Sequence, residues 1–320
     1  MPARNHHFLS QCYLKGFSNG RSKNSRITVI DLRQKIIFET SPRNVGAIRD
    51  FNRIEIDGFD PNTIEEDYAR FEAKVAPALK KIEEDYSFEG ENRSLVLNFL
   101  ALLAMRSPQN RENFRRLAEE ISKFTMNLCL LTPERWKATI TRMKMDGVDI
   151  DLSYEDAKRI FEDGDLRIEV PREHLIKIEQ DGIAVILPLL NDRNWLLIKT
   201  TSDSGPFVTT DRPVILGWKK PNEIPPFYRN SPGYGLKETR VYFPISQSLA
   251  LIGEFDGKSG VIEAPVELVA YLNSILMHYS YKQVFAPNMR FYFSDESGHR
   301  IEGSRTFDYI QKSEKPNDLL

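Results

Sequence analysis

The segment from Asn92 to Arg106, NRSLVLNFLALLAMR, constrains the fold more than any other part of the chain. Its apolar residues fall on nearly every side of a helix instead of forming one stripe, which predicts a helix buried on several sides. The Ser107-Pro108 pair breaks the helix after Arg106. Other elements must pack around this segment, so we take it as the core helix.

Helical periodicity extends on both sides of the core helix. Apolar residues three or four positions apart, from Ile64 to Leu79, predict an amphipathic helix after Pro61 that is interrupted near Pro77. The same criteria predict helices over 111–131, 133–144, 154–161 and 171–190. We therefore expect a helical region over residues 61–190, whose part 61–165 forms one layer of the fold.

The two ends of the chain have the composition of strands. Alternating residues over 27–32 and 35–39 predict a β-hairpin, and 50–56 a further strand. Short β-branched and aromatic runs predict strands over 195–200, 207–210, 214–216, 239–243 and 250–254. A proline-rich loop over 219–237, a helix over 265–284 and a fraying tail after Arg300 complete this part.

These elements predict an α+β fold. Its mainly antiparallel sheet combines the N-terminal hairpin with the C-terminal strands, and the helical layer comes from the middle of the chain. We expect one integrated domain with three regions: 1–60 (helix and hairpin), 61–190 (helical) and 191–320 (β-rich with a final helix).

Composition excludes several classes of protein. With 320 residues, 41% of them hydrophobic, the chain can bury a large core, and it contains neither a membrane-spanning apolar run nor a secretory signal. We therefore expect a cytoplasmic protein without a membrane partner. Cys12 and Cys129 are far apart and lack a CxxC partner, which argues against a disulfide framework or a structural zinc site.

Charge is distributed unevenly although the net charge is only −2. Residues 1–53 contain 10 Lys/Arg and 3 Asp/Glu, whereas residues 54–91 contain 4 and 12. The basic end suggests a surface for nucleic acid or a small anionic ligand. The alternative, which the overall pI near 6.3 favours, is that the two segments neutralise each other.

Chemically capable residues cluster near the amino terminus. We expect a short helix over 8–17 that stacks His7, Gln11 and Lys15, four residues apart, on one face. Phe8, Leu9, Tyr13, Leu14 and Phe17 would anchor this segment in the core. His7 is then either a catalytic group or a buried histidine bonded to a carbonyl or to Asp211. Adjacent His6 and His7 project in different directions and do not form a natural metal-binding pair.

A second polar motif, Thr209-Thr210-Asp211-Arg212-Pro213, lies at the end of a predicted strand. A carboxylate at such a turn can project from the sheet edge as a catalytic group. The commoner use of aspartate there is to accept hydrogen bonds from backbone N–H groups, and both interpretations stay open.

These two motifs resemble the bacterial family called domain of unknown function 4238. The family pattern His-x-x-Pro-Gln-x-Tyr-Leu-x-x-Phe corresponds to the run from His7 to Phe17, with Ser10 in place of the proline. The pattern Thr-Ser-Asp-x-Pro-Val corresponds to Thr209–Val214, with Thr210 in place of the serine. The resemblance continues at positions 105–108, 194–195, 242–246 and 273. It implies a grouping over most of the chain and no named reaction.

Two functional hypotheses follow. In the first, the protein hydrolyses nucleic acid or another phosphate ester, with His7 as acid or base, Asp211 as orienting group or metal ligand and Gln11 as a positioning group. Substrate would be bound by Arg106, Lys15 and Thr210. A divalent metal is compatible with this chemistry, but the chain has no metal-ligand motif. In the second, the same residues form a non-catalytic ligand-binding or sensor site in bacterial stress or defence.

Overall fold

The computed structural model describes residues 4–21, 25–164, 167–230 and 232–313. The chain divides into two compact units. The first contains residues 1–108 and 179–320, and the second contains residues 109–178. The predicted helical region 61–190 is therefore shared between the two units. The fold class is confirmed as α+β.

The first unit contains the strands. In chain order they are β1 (Asn5–His7), β2 (Ile27–Asp31), β3 (Ile36–Thr40), β4 (Ala47–Arg49), β5 (Asn194–Thr200), β6 (Thr209–Thr210), β7 (Ile215–Trp218), β8 (Thr239–Ser246), β9 (Leu249–Glu254), β10 (Gly260–Ala264), β11 (Gln283–Ala286), β12 (Tyr292–Ser294) and β13 (Arg300–Glu302). A five-stranded sheet has the order β10-β5-β9-β8-β7, antiparallel except for the β10–β5 pair. A four-stranded antiparallel sheet has the order β3-β2-β11-β6. The smaller sheets are β1-β4 and β12-β13.

The four-stranded sheet joins the two ends of the chain, as predicted. The hairpin of β2 and β3 pairs Ile27 with Thr40 and Asp31 with Ile36. Strand β11 then lies between β2 and β6, pairing Phe285 with both Val29 and Thr209. The short strand that contains Thr209 and Thr210 is thereby fixed beside the amino-terminal part of the fold.

The helices are also given in chain order. They are α1 (Gln11–Leu14), α2 (Thr63–Asp85), α3 (Gly90–Met105), α4 (Pro108–Cys129), α5 (Pro133–Met145), α6 (Tyr154–Glu162), α7 (Arg172–Asn191), α8 (Pro226–Arg229), α9 (Val266–His278) and α10 (Thr306–Ser313). Helix α3 is the predicted core helix, and its consecutive residues Phe99–Leu103 are all buried. All of these residues except Leu102 belong to the large hydrophobic core of the first unit, together with Phe243 and Phe285 of the two main sheets.

The second unit has its own small core. Leu130, Trp136 and Ala157 are buried together, and the Trp136 indole N–H donates to the Leu152 carbonyl at 3.0 Å. Helix α5 begins after Thr132, whose hydroxyl accepts the Arg135 N–H, and Ser153 caps α6 in the same way. Polar N-cap residues satisfy first-turn N–H groups that otherwise have no partner within the helix.

Several elements differ from the sequence predictions. Helix α2 continues through Pro77, which lies on the exposed face, where water can solvate the carbonyl that the proline leaves without a donor. Residues 50–52 form a turn and 53–56 have no regular secondary structure, and the neighbouring strand is β4. The predicted helix 265–284 ends at His278, and Gln283 begins β11. Beyond Arg300, β13 and α10 replace the expected tail up to Ser313, and the rest of that prediction lies outside the described residues.

Among the described residues, no helix combines the length and the apolar composition needed to cross a bilayer.

Candidate functional site

His6 and His7 lie in strand β1, not in the helix predicted for this segment. Helix α1 begins only at Gln11, so His7, Gln11 and Lys15 do not share one helical face as the sequence suggested. Neighbouring residues of a strand point to opposite sides, and accordingly His6 is fully buried whereas His7 is half-buried. The pairing of β1 with β4 holds both histidines in place.

The hydrogen bonds of the two rings determine their neutral tautomers. His6 Nδ1 accepts the Asn52 backbone N–H at 2.9 Å, so the proton of the neutral ring is on Nε2. His6 Nε2 is buried and has no hydrogen-bond partner among the described residues. His7 Nε2 lies 3.2 Å from the Arg43 carbonyl, to which it must donate, so the Nδ1 lone pair of His7 is available to accept a proton.

Glu72 connects the amino-terminal segment to the core helix. Its Oε2 accepts the Ser10 hydroxyl at 2.8 Å, and its Oε1 accepts Nη2 of Arg106 at 3.1 Å. The Ser10 hydroxyl also lies 2.9 Å from the Cys12 sulfur. Helix α2 therefore presents a half-buried carboxylate to groups from α1 and from the end of α3.

Arg106 is the most buried of the charged residues here, with 1% of its surface exposed. It directly follows α3, and its backbone N–H donates to the Leu102 carbonyl at 2.8 Å. The guanidinium lies 4.3 Å from the centre of the Tyr68 ring and makes an ion pair with Glu72. Nε and Nη1 of Arg106 are buried without a hydrogen-bond partner in the part of the chain that the structure describes.

These residues form what we call the amino-terminal polar cluster: His6, His7, Glu65, Glu72 and Arg106. Glu65 and Glu72 are seven residues apart on α2 and hence on one face, and Glu65 Oε2 lies 4.0 Å from His6 Nδ1. Glu65 also accepts the side-chain amide of Asn52 at 2.7 Å. The cluster brings together two of the predicted site residues, His7 and Arg106.

Burial controls protonation in the cluster. Desolvation lowers the pKa of His7, opposed by its bond to the Arg43 carbonyl and by the carboxylates of Glu72 and Glu65, so the ring is neutral at pH 7. Desolvation also raises the pKa of Cys12 to about 11. The Cys12 thiol is therefore protonated at neutral pH and is a poor nucleophile.

Asp211 is buried elsewhere and is engaged by the backbone. Its Oδ1 accepts the Tyr281 N–H at 2.8 Å and its Oδ2 the Gln283 N–H at 3.0 Å, at the start of β11. Desolvation raises the pKa of Asp211, and these backbone N–H groups counteract that effect. The Thr210 hydroxyl donates to the Arg212 carbonyl at 2.8 Å and accepts its N–H. This geometry favours a structural role for both residues, and their roles in catalysis and substrate binding stay predictions.

The two sequence motifs meet at Tyr13 and Thr209. The buried Tyr13 hydroxyl lies 2.8 Å from Thr209 Oγ1 and donates to the Pro244 carbonyl, also at 2.8 Å. Its ring stacks on Phe243 with the centroids 5.3 Å apart. The two motifs are therefore joined by a hydrogen bond between Tyr13 and Thr209, and not by one between His7 and Asp211.

The other two predicted site residues of the amino-terminal motif lie in helix α1 and directly after it. Gln11 is the first residue of α1, and Lys15 follows that helix in a 3₁₀ turn; both are half-buried. Lys15 is close enough to Cys12 for its charge to stabilise the thiolate slightly. Among the described residues, no group of three or more His, Cys, Asp or Glu side chains is arranged to hold a metal ion.

Sequence reasoning missed Glu65, Glu72 and the buried side of His6. The available signal was the spacing of Glu65, Tyr68 and Glu72, which places them on the same face of α2 as Val75 and Leu79. In a segment rich in Glu and Lys, these acids looked like part of the solvated face.

Comparison with known proteins identifies the family. No curated protein and no solved structure matches the chain. The model of the family described as "Protein of unknown function (DUF4238)" matches residues 5–289, a range that includes the cluster and both motifs. The chain therefore belongs to the DUF4238 family.

Proposed function

We propose that this protein binds a small ligand carrying an oxyanion, a phosphate or a carboxylate, at the amino-terminal polar cluster. The observation that supports this function is the state of Arg106. A buried guanidinium is normally hydrogen-bonded throughout, and Arg106 has one carboxylate partner while Nε and Nη1 have none among the described residues. These N–H groups are suited to the oxygen atoms of phosphate or carboxylate.

The surroundings of Arg106 support the same function. The Tyr68 ring packs against the guanidinium and Glu72 fixes one of its nitrogens, so the cation is held in one orientation before a ligand arrives. His6 Nε2 offers a further buried N–H. Ordering the donors before binding reduces the entropy that binding must overcome.

Binding can be tested by calorimetry of the purified protein with phosphate, acetate and a panel of phosphate esters. We expect Arg106→Met to abolish binding. Arg106→Lys should weaken it, because lysine keeps the charge but lacks the planar set of N–H donors that binds an oxyanion through two bonds. Arg70→Met is the matched control, because Arg70 is an exposed arginine on α2 paired with Asp67. Equal affinity of wild type and Arg106→Met, with both folded by circular dichroism, would overturn the proposal, as would the absence of any binding.

Hydrolysis of a phosphate ester, nucleic acid included, is the second candidate, and the state of His7 favours it. A neutral ring whose Nε2 is held by a carbonyl leaves Nδ1 as a general base that could activate water beside an anion bound at Arg106. Substrate loss should be followed by mass spectrometry in mixed nucleic acids and nucleotides, with and without a divalent metal. Undiminished cleavage by His7→Ala and Asp211→Ala proteins would eliminate this candidate.

The biological setting proposed for the non-catalytic, ligand-binding function is bacterial stress or defence. The oxyanion site is the part of the proposal that can be tested first, because it requires no knowledge of the pathway.

A further inference from the structure

A separate cavity in the first unit has the features of a second anion site. It has a volume of about 390 Å³ and is open to solvent. Its floor is apolar and buried: Phe88, Trp195 and Leu197 line it, and the Phe88 and Trp195 rings pack edge to face with centroids 5.8 Å apart. None of its lining residues belongs to the amino-terminal polar cluster.

Two arginines line this cavity, and neither makes a salt bridge in the described ranges. Arg193 is 2% exposed, and its Nη1 and Nη2 donate to the carbonyls of Thr239 and Tyr234 at 2.9 and 2.6 Å. Its Nε is buried and has no hydrogen-bond partner among the same residues. Arg93 donates to the Asn191 carbonyl at 2.7 Å.

These contacts orient both cations without a direct ion pair, so positive charge lies beside the cavity, offset in part by the Glu254 carboxylate, which acts on Arg193 through its charge. A buried charge without a direct ion pair is unfavourable, and an anionic ligand would compensate it.

The first turn of α3 borders the same cavity. Ser87, Phe88 and Glu89 line it immediately before the helix begins at Gly90, and Arg93 lies in the first turn. The N-cap residue Glu89 makes no side-chain cap hydrogen bond. Helix α3 has 16 residues, and the partial positive charge at its N-terminus therefore adds to the charge of the arginines. The Glu89 carboxylate is the acidic side chain of the lining and limits the net charge.

We propose that this cavity binds a small phosphate monoester, with the phosphate between Arg93, Arg193 and the α3 N-terminus and the organic part on the Phe88–Trp195 floor. The volume is near the lower end of the range for small-molecule sites, roughly 300–1,000 Å³, which suits a ligand the size of a sugar phosphate. This inference does not depend on the proposed function, because the two sites share no residue.

Trp195 provides a local readout. In a Trp136→Phe/Trp218→Phe background its fluorescence is titrated with inorganic phosphate and with ribose 5-phosphate, with ribose as the uncharged comparison. We expect saturable changes with both phosphates, tighter for ribose 5-phosphate, and none with ribose. Binding at Arg106 alone would leave the Trp195 signal unchanged, so the two proposals can fail separately.

Two variants test the placement. Arg93→Met should weaken binding about tenfold or more, since it removes a charge-assisted contact, and Ser259→Phe should block the exposed part of the cavity. Arg26→Met is the matched control, because Arg26 is an exposed arginine paired with Glu39. No Trp195 response to either phosphate overturns the proposal, and so does unchanged affinity in both Arg93→Met and Ser259→Phe.

Discussion

Replacing Tyr13 by Phe tests whether the two sequence motifs serve to hold the fold together. The Tyr13 hydroxyl has one proton, which it gives to the Pro244 carbonyl, so the Thr209 hydroxyl must donate to the Tyr13 oxygen. Removing the tyrosine oxygen leaves the Pro244 carbonyl and the Thr209 hydroxyl buried without these partners. We expect the free energy of unfolding to fall by about 2 kcal/mol, since each unsatisfied group costs about 1–3 kcal/mol and partial relaxation offsets some of this.

A double-mutant cycle makes the test specific. Thr209→Val alone removes a donor but leaves the Tyr13 bond to Pro244, so we expect a loss of about 1 kcal/mol. The double variant Tyr13→Phe/Thr209→Val no longer contains the unpaired threonine hydroxyl. It should lose about 2 kcal/mol, giving a coupling of about 1 kcal/mol between the two positions.

Urea denaturation followed by circular dichroism measures these differences, with Tyr271→Phe as the control for an exposed tyrosine. The control should change stability by less than about 0.5 kcal/mol. Two results would contradict this reasoning. Tyr13→Phe could change stability as little as the control, or the stability losses of the two single variants could sum to that of the double variant within about 0.3 kcal/mol. Either result would show that the Tyr13–Thr209 hydrogen bond does not stabilise the fold.

The remaining predictions concern three titratable groups. Because its pKa is lowered in the folded state, His7 should contribute stability that is present above its unfolded pKa of 6.5 and is lost as pH falls through the folded pKa. The stability difference between wild type and His7→Gln should therefore grow from pH ~5 to ~7, by at most about 1.4 kcal/mol per pH unit, and a flat difference in urea titrations contradicts this. Asp211→Asn should destabilise the protein by about 1–3 kcal/mol, because an amide has one acceptor oxygen for the two N–H groups of Tyr281 and Gln283; unchanged stability with lost activity would instead support a catalytic role. In a Cys129→Ser protein, iodoacetamide should alkylate Cys12 about 100-fold more slowly at pH 8 in the folded state than in urea, since its pKa rises from 9.0 to about 11, and equal rates contradict this.

The sequence predicts elements whose signal is local and misses those that depend on distant partners. Helix α3 is predicted by its long apolar run, and the β2–β3 hairpin by two adjacent strand-like runs with a short connection. Strand β11 is only four residues long and adjoins a helix, so its Val284 and Phe285 look like a continuation of the helical pattern. Only pairing with β2 and β6, from segments more than 70 residues away in the chain, makes this segment a strand. The β10–β5 parallel pair depends on a similarly distant partner.

The candidate site was predictable in part for the same reason. Arg106 and His7 were found because the sequence places each beside a strong local feature, the core helix and the anchored amino terminus. Glu72 was missed because an acid in a charged helix has no local mark of burial, and it becomes half-buried only where Ser10 and Arg106 reach it.

Motif residues and unsatisfied polar groups point to different parts of this molecule. Tyr13, Thr209 and Asp211 bond to one another or to backbone groups, and Asn273 accepts the Val208 N–H and donates to the Pro206 and Tyr292 carbonyls. The hydrogen bonds of these side chains therefore stabilise the fold. Arg106 instead retains buried donors, although an ion pair in such a place is weak evidence for a stabilising role. Buried N–H donors without a partner are the groups that a ligand oxyanion would satisfy, and for this reason we propose Arg106, more than the histidine and aspartate of the motifs, as the centre of the functional site.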